Sequence, residues 1–257
     1  MVRYFYIDNH DDLQWNMYVR GEEDPFLINP TDPGMDKKVC AALIVRALSS
    51  VKQCFEIMFG NAYINEHLHL AVMHTDNVPI TYRENSLIFI NSQCCWPLQV
   101  IYQFSHELCH LMIPRRVSLR FQWLEESICE LASLFVLRHI CNNQSLFPGE
   151  IPFSGIPTYI KTTEEGFYDL GNESVCEFIH RTLPVLESNP VNRSYNGAIA
   201  KALNPVFFQS PNLWKDIPLL CDISNAPDFR KGMNLWLKLS DGESRLSLSK
   251  VVGLLCN

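Results

Sequence analysis

Apolar residues recur at helical spacing in two neighbouring stretches near the middle of the chain. The first stretch begins after Pro97, a residue suited to the first turn of a helix. Its apolar positions are Leu98, Ile101, Phe104, Leu108 and Leu111. The second stretch, residues 121–137, is equally apolar but includes three glutamates, and Pro114 lies in the gap between the two. The pattern predicts two successive, largely buried helices joined by a short turn.

Upstream of this helix pair, the pattern changes between strand-like and helical periods. Residues 2–7 alternate and are rich in aromatic side chains, which predicts a strand. Residues 8–34 hold Asp, Gly and three prolines and are predicted to be irregular. A helical pattern runs from Asp36 to near Gly60, and strands are predicted at residues 67–73 and 87–90.

Downstream of the pair, residues 142–165 are rich in Pro, Gly, Ser and Thr, which is typical of a domain boundary or a long loop. Beyond it, helices are expected at residues 172–187, 193–203, 212–221, 227–239 and 245–255. We therefore expect an α+β protein with two lobes. Residues 1–141 would form a lobe with a small mixed β-sheet and the helix pair, and residues 142–257 a mostly helical lobe.

Three polar side chains in the first apolar helix carry the candidate chemistry. His106 and His110 are four residues apart, so both imidazoles lie on one side of a helix and can bind one metal ion. Glu107 is close enough to take a proton from a metal-bound water. In an apolar segment these groups cost free energy unless they are paired or metal-bound, which argues against a helix with two solvated histidines. Catalytic zinc has three protein ligands, so a third is expected nearby.

These residues, together with the sequence Trp123-Leu124-Glu125-Glu126-Ser127 in the second helix, resemble the gluzincin metallopeptidases. That group includes thermolysin and the leukotriene-hydrolase and aminopeptidase family. The resemblance implies a zincin-like core, one zinc ion per chain, and a peptide or protein substrate. The roles that it implies are zinc ligands for His106, His110 and Glu126, the general base for Glu107, and orientation of the first histidine for Glu130.

The helical geometry leaves the third ligand open. Glu126 and Glu130 share one face of the second helix, so Glu130 could be the ligand instead. Glu125 is rotated away by about 100° and is expected at the rim of the site, in solvent, or in contact with a substrate amine.

The resemblance also implies two further parts of a peptide site. Residues 86–91 are the candidate for an edge strand that pairs with an extended substrate. Tyr195, which is followed closely by a glycine, is the candidate donor of a hydrogen bond to the oxyanion of the reaction. Tyr168 and His180 are the alternative candidates for this role.

Composition bears on other classes of function. A net charge of −7 with scattered Lys and Arg disfavours nucleic-acid binding. Because no run of about twenty apolar residues occurs, no membrane span is expected. Acidic residues follow the short apolar N-terminal run, so we expect no signal peptide and a cytoplasmic protein whose ten cysteines are reduced thiols. Cys94-Cys95, or His67 with His69 and His74, could form a second metal site, but thiols and strand histidines without metal are the simpler interpretation.

The leading hypothesis is therefore a zinc-dependent metallopeptidase in which Glu107 activates water. One alternative is a regulatory zincin-like protein with a single specific partner as substrate. Another is an interaction domain that binds zinc without catalysis, although a purely structural site has no need of Glu107.

Overall fold

The structure, a computed structural model, describes residues 3–5, 18–20, 26–28, 37–68, 70–73, 79–91, 96–147 and 153–256. The chain divides into two compact units, each built from two separate segments. The first unit comprises Met1–Leu111 and Val136–Pro157, and the second comprises Met112–Phe135 and Thr158–Asn257. The boundary between two lobes after residue 141, which the sequence predicts, stays a prediction.

The first unit contains a mixed β-sheet of six short strands among the residues described. The strands are β1 (Arg3–Phe5), β2 (Tyr18–Arg20), β3 (Phe26–Ile28), β4 (Leu70–Met73), β5 (Ile80–Tyr82) and β6 (Leu87–Ile90). Their order across the sheet is β1-β2-β3-β4-β6-β5. The neighbours β3, β4 and β6 run parallel, whereas β5 pairs antiparallel with β6 at one end of the sheet. Alternate residues of β6 are buried, as a half-covered sheet requires.

Three helices and the last turns of a fourth accompany this sheet. They are α1 (Lys37–Phe59), α2 (Asn61–His67), α3 (Pro97–Leu111) and α4 (Leu119–Asn142). Gly60 separates α1 from α2 with φ +93°, a conformation that glycine adopts without strain. Helix α1 packs on α3, and α3 packs on both β5 and β6. This packing brings the helix with the two histidines against the end of the sheet.

The second unit is helical in its described residues and includes the first turns of α4. Its further helices are α5 (Ile156–Glu165), α6 (Val175–Ser188), α7 (Arg193–Gln209), α8 (Leu220–Ile223), α9 (Phe229–Leu239) and α10 (Arg245–Cys256). A 3-10 helix, Pro211–Leu219, precedes α8. Trp123, Trp214 and Trp236 are fully buried within this unit. Most residues of α4 are buried, which explains why this helix is apolar on most of its circumference.

The structure confirms the α+β class and most of the predicted elements. The helix after Asp36, the strand at residues 87–90, the helix pair and the C-terminal helices are all present. Within the described part of the chain, no helix combines the length and the apolar character that crossing a membrane requires.

Several local predictions were wrong. Residues 8–34 were expected to be irregular but contain β2 and β3, each too short to show an alternating pattern. The predicted strand at residues 67–73 begins only at Leu70, because residues 61–67 are helical. Helix α5 lies largely within the predicted loop at residues 142–165.

The expected edge strand is also wrong, because β6 lies between β4 and β5 rather than at the end of the sheet. A short 3-10 turn, Arg83–Asn85, and Ser86 with φ +51° reverse the chain so that β5 pairs with β6. Three residues of β5 gave too little pattern to predict a strand.

Candidate metal centre

His106 and His110 lie on successive turns of α3, with their imidazole rings close together. Their Nε2 atoms are 3.2 Å apart, and their ring centroids are 5.0 Å apart. Two nitrogens bound to one tetrahedral zinc ion at about 2.0–2.1 Å would be separated by roughly 3.3 Å. The two histidines are therefore spaced as ligands of a single ion.

Glu107 is buried, with 7% of its surface exposed, although it lies beside these histidines in the sequence. The hydroxyl of Thr81 on β5 contacts it twice, at 2.8 Å from the carboxylate Oε2 and 2.7 Å from the main-chain oxygen. A buried carboxylate is costly without a hydrogen-bond donor, and Thr81 supplies one. The strand at the end of the sheet thus holds the predicted general base.

Arg83 forms a second contact between this edge of the sheet and α3. Its Nε donates to the main-chain oxygen of His110 at 2.9 Å, and its Nη2 lies 3.4 Å from His110 Nδ1. A cation near the C-terminus of a helix is favoured by the helix dipole. A metal-bound imidazole usually donates its second N–H to a carboxylate or carbonyl, so the guanidinium is an unusual neighbour for Nδ1. The bond to the main-chain oxygen attaches Arg83 to the last turn of α3.

Cys129 of α4 is a further side chain of a type that binds metal ions. It is buried and lies three residues after Glu126. Imidazole nitrogen, thiolate sulfur and carboxylate oxygen are all ordinary zinc ligands, and three protein ligands are the number found in catalytic sites. The residue types that α3 and α4 carry therefore suit a zinc ion.

Glu126 is the predicted third ligand. It is half-buried on α4, three residues before Cys129. Positions three apart differ by about 60° around a helix, so both side chains lie on the same side of α4. The ligand role of Glu126 stays a prediction, with Cys129 as the competing side chain.

Glu125 was expected at the rim of the site, in solvent, or in contact with a substrate amine. It is buried, with 3% of its surface exposed, so the expectation of a solvent-exposed position is wrong. Its neighbours Leu124 and Ser127 are buried as well. The turn of α4 that carries Glu125 is thus enclosed on several sides, which a purely amphipathic pattern does not predict.

Glu130 is buried, with 2% of its surface exposed, and its Oε1 lies 3.7 Å from Arg193 Nε. Burial raises the pKa of Glu130 to about 7, although the Arg193 charge favours the ionised form. Burial also raises the pKa of Tyr159 to about 12, with Arg193 lowering it and Glu130 raising it. Glu130 therefore belongs to a polar cluster with Arg193 and Tyr159, and its predicted role in orienting His106 stays a prediction.

Tyr195 lies in the first turn of α7, where its N–H donates to Asn192 Oδ1 at 3.2 Å. Its ring packs edge-on against Tyr168 and Phe178, with centroids 5.5 and 5.2 Å away. This aromatic cluster gives Tyr195 a packing role in the second unit. Its role as oxyanion donor stays a prediction.

The two reserve candidates have contacts of their own in the second unit. The Tyr168 hydroxyl accepts a hydrogen bond from Arg181 Nη2 at 3.3 Å. His180 is exposed, with its Nδ1 3.5 Å from Cys176 Sγ. Neither contact assigns a catalytic role.

Of the residues that could form a second metal site, His67 alone lies among the described residues. His67 ends α2, where its Nδ1 lies 2.9 Å from the main-chain oxygen of Tyr63 and its ring stacks on that tyrosine. These contacts explain His67 without a metal ion. His69, His74, Cys94 and Cys95 lie outside the described residues.

Sequence reasoning missed Thr81, Arg83 and Cys129. Helical spacing places Cys129 on the side of α4 that carries Glu126, so a search for every ligand type on that face would have found it. Thr81 and Arg83 had no comparable signal, because their contacts with α3 depend on the position of β5 at the end of the sheet.

Comparisons with protein-family models, with curated proteins and with solved structures gave no match.

Proposed function

We propose that the protein is a zinc-dependent hydrolase that cleaves peptide bonds in a zincin-like site. The observation that supports this most strongly is the 3.2 Å separation of the Nε2 atoms of His106 and His110. Glu107, between them in the sequence, is buried against Thr81 rather than solvated. A surface helix with two incidental histidines would bury neither the carboxylate nor the face that carries it.

A bound zinc ion would supply a Lewis acid that polarises the substrate carbonyl and makes a water molecule more acidic. Glu107 would accept the proton of the attacking water and then deliver it to the leaving amine. Tyr195 remains our candidate for the hydrogen bond to the oxyanion. Thr81 would keep the Glu107 carboxylate in place while the proton is transferred.

The third ligand decides whether such a site can be catalytic. A hydrolytic zinc site needs an open fourth position, so only one of Cys129 and Glu126 can bind alongside the two histidines. Cys129 is buried on the same side of α4 as Glu126 and offers a thiolate, which is an ordinary zinc ligand. The resemblance to gluzincins favours Glu126.

The edge of the sheet supports a peptide substrate. An extended peptide can add to the strand that ends a sheet, using main-chain hydrogen bonds for affinity. The described sheet ends in β1 on one side and in β5 on the other, and β5 also carries Thr81. Ile80 and Tyr82 are exposed on it and would contact substrate side chains. We therefore propose β5, in place of residues 86–91, as the substrate-pairing strand.

A metal-reconstitution assay tests this function. The chain is stripped with a chelator, titrated with zinc, and incubated with a mixture of quenched fluorescent peptides of varied sequence. We expect hydrolysis to be absent from the stripped protein and to saturate at one zinc per chain. Zinc that binds at one equivalent without cleaving any peptide would contradict a general peptidase.

The non-catalytic alternative predicts a different outcome of this assay. If both Cys129 and Glu126 bound zinc with the two histidines, the site would have four protein ligands and no open position. A protein of that kind would lose thermal stability when zinc is removed and would cleave no peptide. The regulatory alternative would instead cleave one specific partner and leave the peptide mixture intact.

A further inference from the structure

We propose that Thr81 is a positioning residue that sets the orientation of the Glu107 carboxylate. Its effect on hydrolysis rests on the proposed function, whereas the orientation of Glu107 can be measured without any activity. The inference starts from the two contacts that one hydroxyl makes with one glutamate.

The register of β5 directs Thr81 toward α3. Along the strand, Ile80 and Tyr82 are exposed and Thr81 between them is partly buried, so Thr81 lies on the opposite face. Thr81 pairs with Ile88 of β6, which is fully buried. Because α3 packs on β5, this face places the hydroxyl against the helix that carries Glu107.

The hydroxyl has two acceptors within reach but only one hydrogen. It can donate to the carboxylate Oε2 at 2.8 Å or to the main-chain oxygen of Glu107 at 2.7 Å. One hydroxyl is thus shared between the side chain and the main chain of the same glutamate.

The two contacts do more than attach the strand β5 to the helix α3. A bond to the main-chain oxygen of Glu107 would attach β5 to α3 without any effect on the side chain. The second contact, to Oε2, restricts the rotation of the carboxylate, and a small displacement of a catalytic group is enough to slow a reaction strongly. Loss of the hydroxyl should consequently lower kcat more than it raises KM.

The test uses Thr81→Val, which keeps the branched shape suited to a strand, and Thr81→Ser, which restores a hydroxyl. Thr182→Val is the matched control: the Thr182 hydroxyl is buried and donates to a main-chain oxygen, that of Phe178, at 2.7 Å. Each zinc-loaded protein is crystallised to locate the Glu107 side chain. Zinc content, thermal unfolding, kcat and KM on the quenched peptide mixture are measured in parallel.

We expect one Glu107 rotamer in the wild type and in Thr81→Ser, and a displaced or split carboxylate in Thr81→Val. We expect kcat to fall at least tenfold in Thr81→Val with KM and zinc content nearly unchanged, and to recover largely in Thr81→Ser. An undisturbed Glu107 carboxylate in Thr81→Val would overturn the inference, whatever the activity. A wild type that binds zinc and cleaves no peptide would instead refute the proposed function, and the crystallographic comparison would still decide the role of Thr81.

Discussion

The Nε2 atoms of His106 and His110, on successive turns of α3, lie 3.2 Å apart. Residues four apart on a helix are neighbours, so the backbone of α3 alone brings the two rings together. The pair is thus spaced for one ion, and β5 adds the contact between Thr81 and Glu107. Each of these contacts can be tested by a substitution of its own.

Replacing either histidine should remove most of the zinc affinity. We expect His106→Ala and His110→Ala each to weaken zinc binding by more than roughly 100-fold, since even partners of zinc ligands cost 10–100-fold when lost. Competition with a coloured zinc chelator measures the change. His67→Ala is the control, because His67 is explained by its contacts with Tyr63. An equal loss of affinity in this control would point to a different metal site.

The third ligand can be identified by a matched pair of substitutions on α4. The resemblance implies that Glu126→Gln weakens zinc binding at least tenfold and that Cys129→Ser weakens it less. The reverse order would assign the ligand to Cys129. Large losses in both variants would indicate a closed four-ligand site and contradict the hydrolase.

Gly197, which follows the predicted oxyanion tyrosine, has a packing reason to be glycine. A Cβ added there would lie 2.1 Å from Phe167 Cδ1, so the aromatic ring would have to move. We expect Gly197→Ala to lower the free energy of unfolding by about 1–3 kcal/mol. Gly253→Ala, in a helix where a Cβ meets nothing within 4 Å, should be neutral or slightly stabilising. Urea denaturation compares the two; equal effects would contradict the steric account.

These contacts also show what the sequence could and could not predict. The helix pair and the histidine spacing follow from local periodicity, which a single sequence displays directly. The position of Thr81 depends on a three-residue strand pairing with β6, and the burial of Glu125 depends on how α4 is enclosed. Both are tertiary effects that local patterns do not carry.

His139 should make stability depend on pH. Burial lowers its pKa from the usual 6.5, so below about pH 6.5 the unfolded chain binds a proton that the folded chain does not. The free energy of unfolding should therefore fall as the pH drops below that value. It should stop changing once the pH is below the lowered pKa of His139 in the folded chain. We expect this acid-side loss to be smaller in His139→Gln when urea denaturation is compared at pH 7.5 and 5.5. An identical pH dependence in the variant would show that other groups cause it.

The most direct test of the central claim is the zinc content and peptide hydrolysis of Glu107→Gln. The amide oxygen can still accept the Thr81 hydroxyl, so the fold and the histidine pair should be retained. Glu165→Gln, at an exposed position of α5, is the matched control. We predict one zinc per chain in both variants, with hydrolysis lost by at least about 100-fold only in Glu107→Gln. Full hydrolysis in Glu107→Gln with zinc bound would contradict the account.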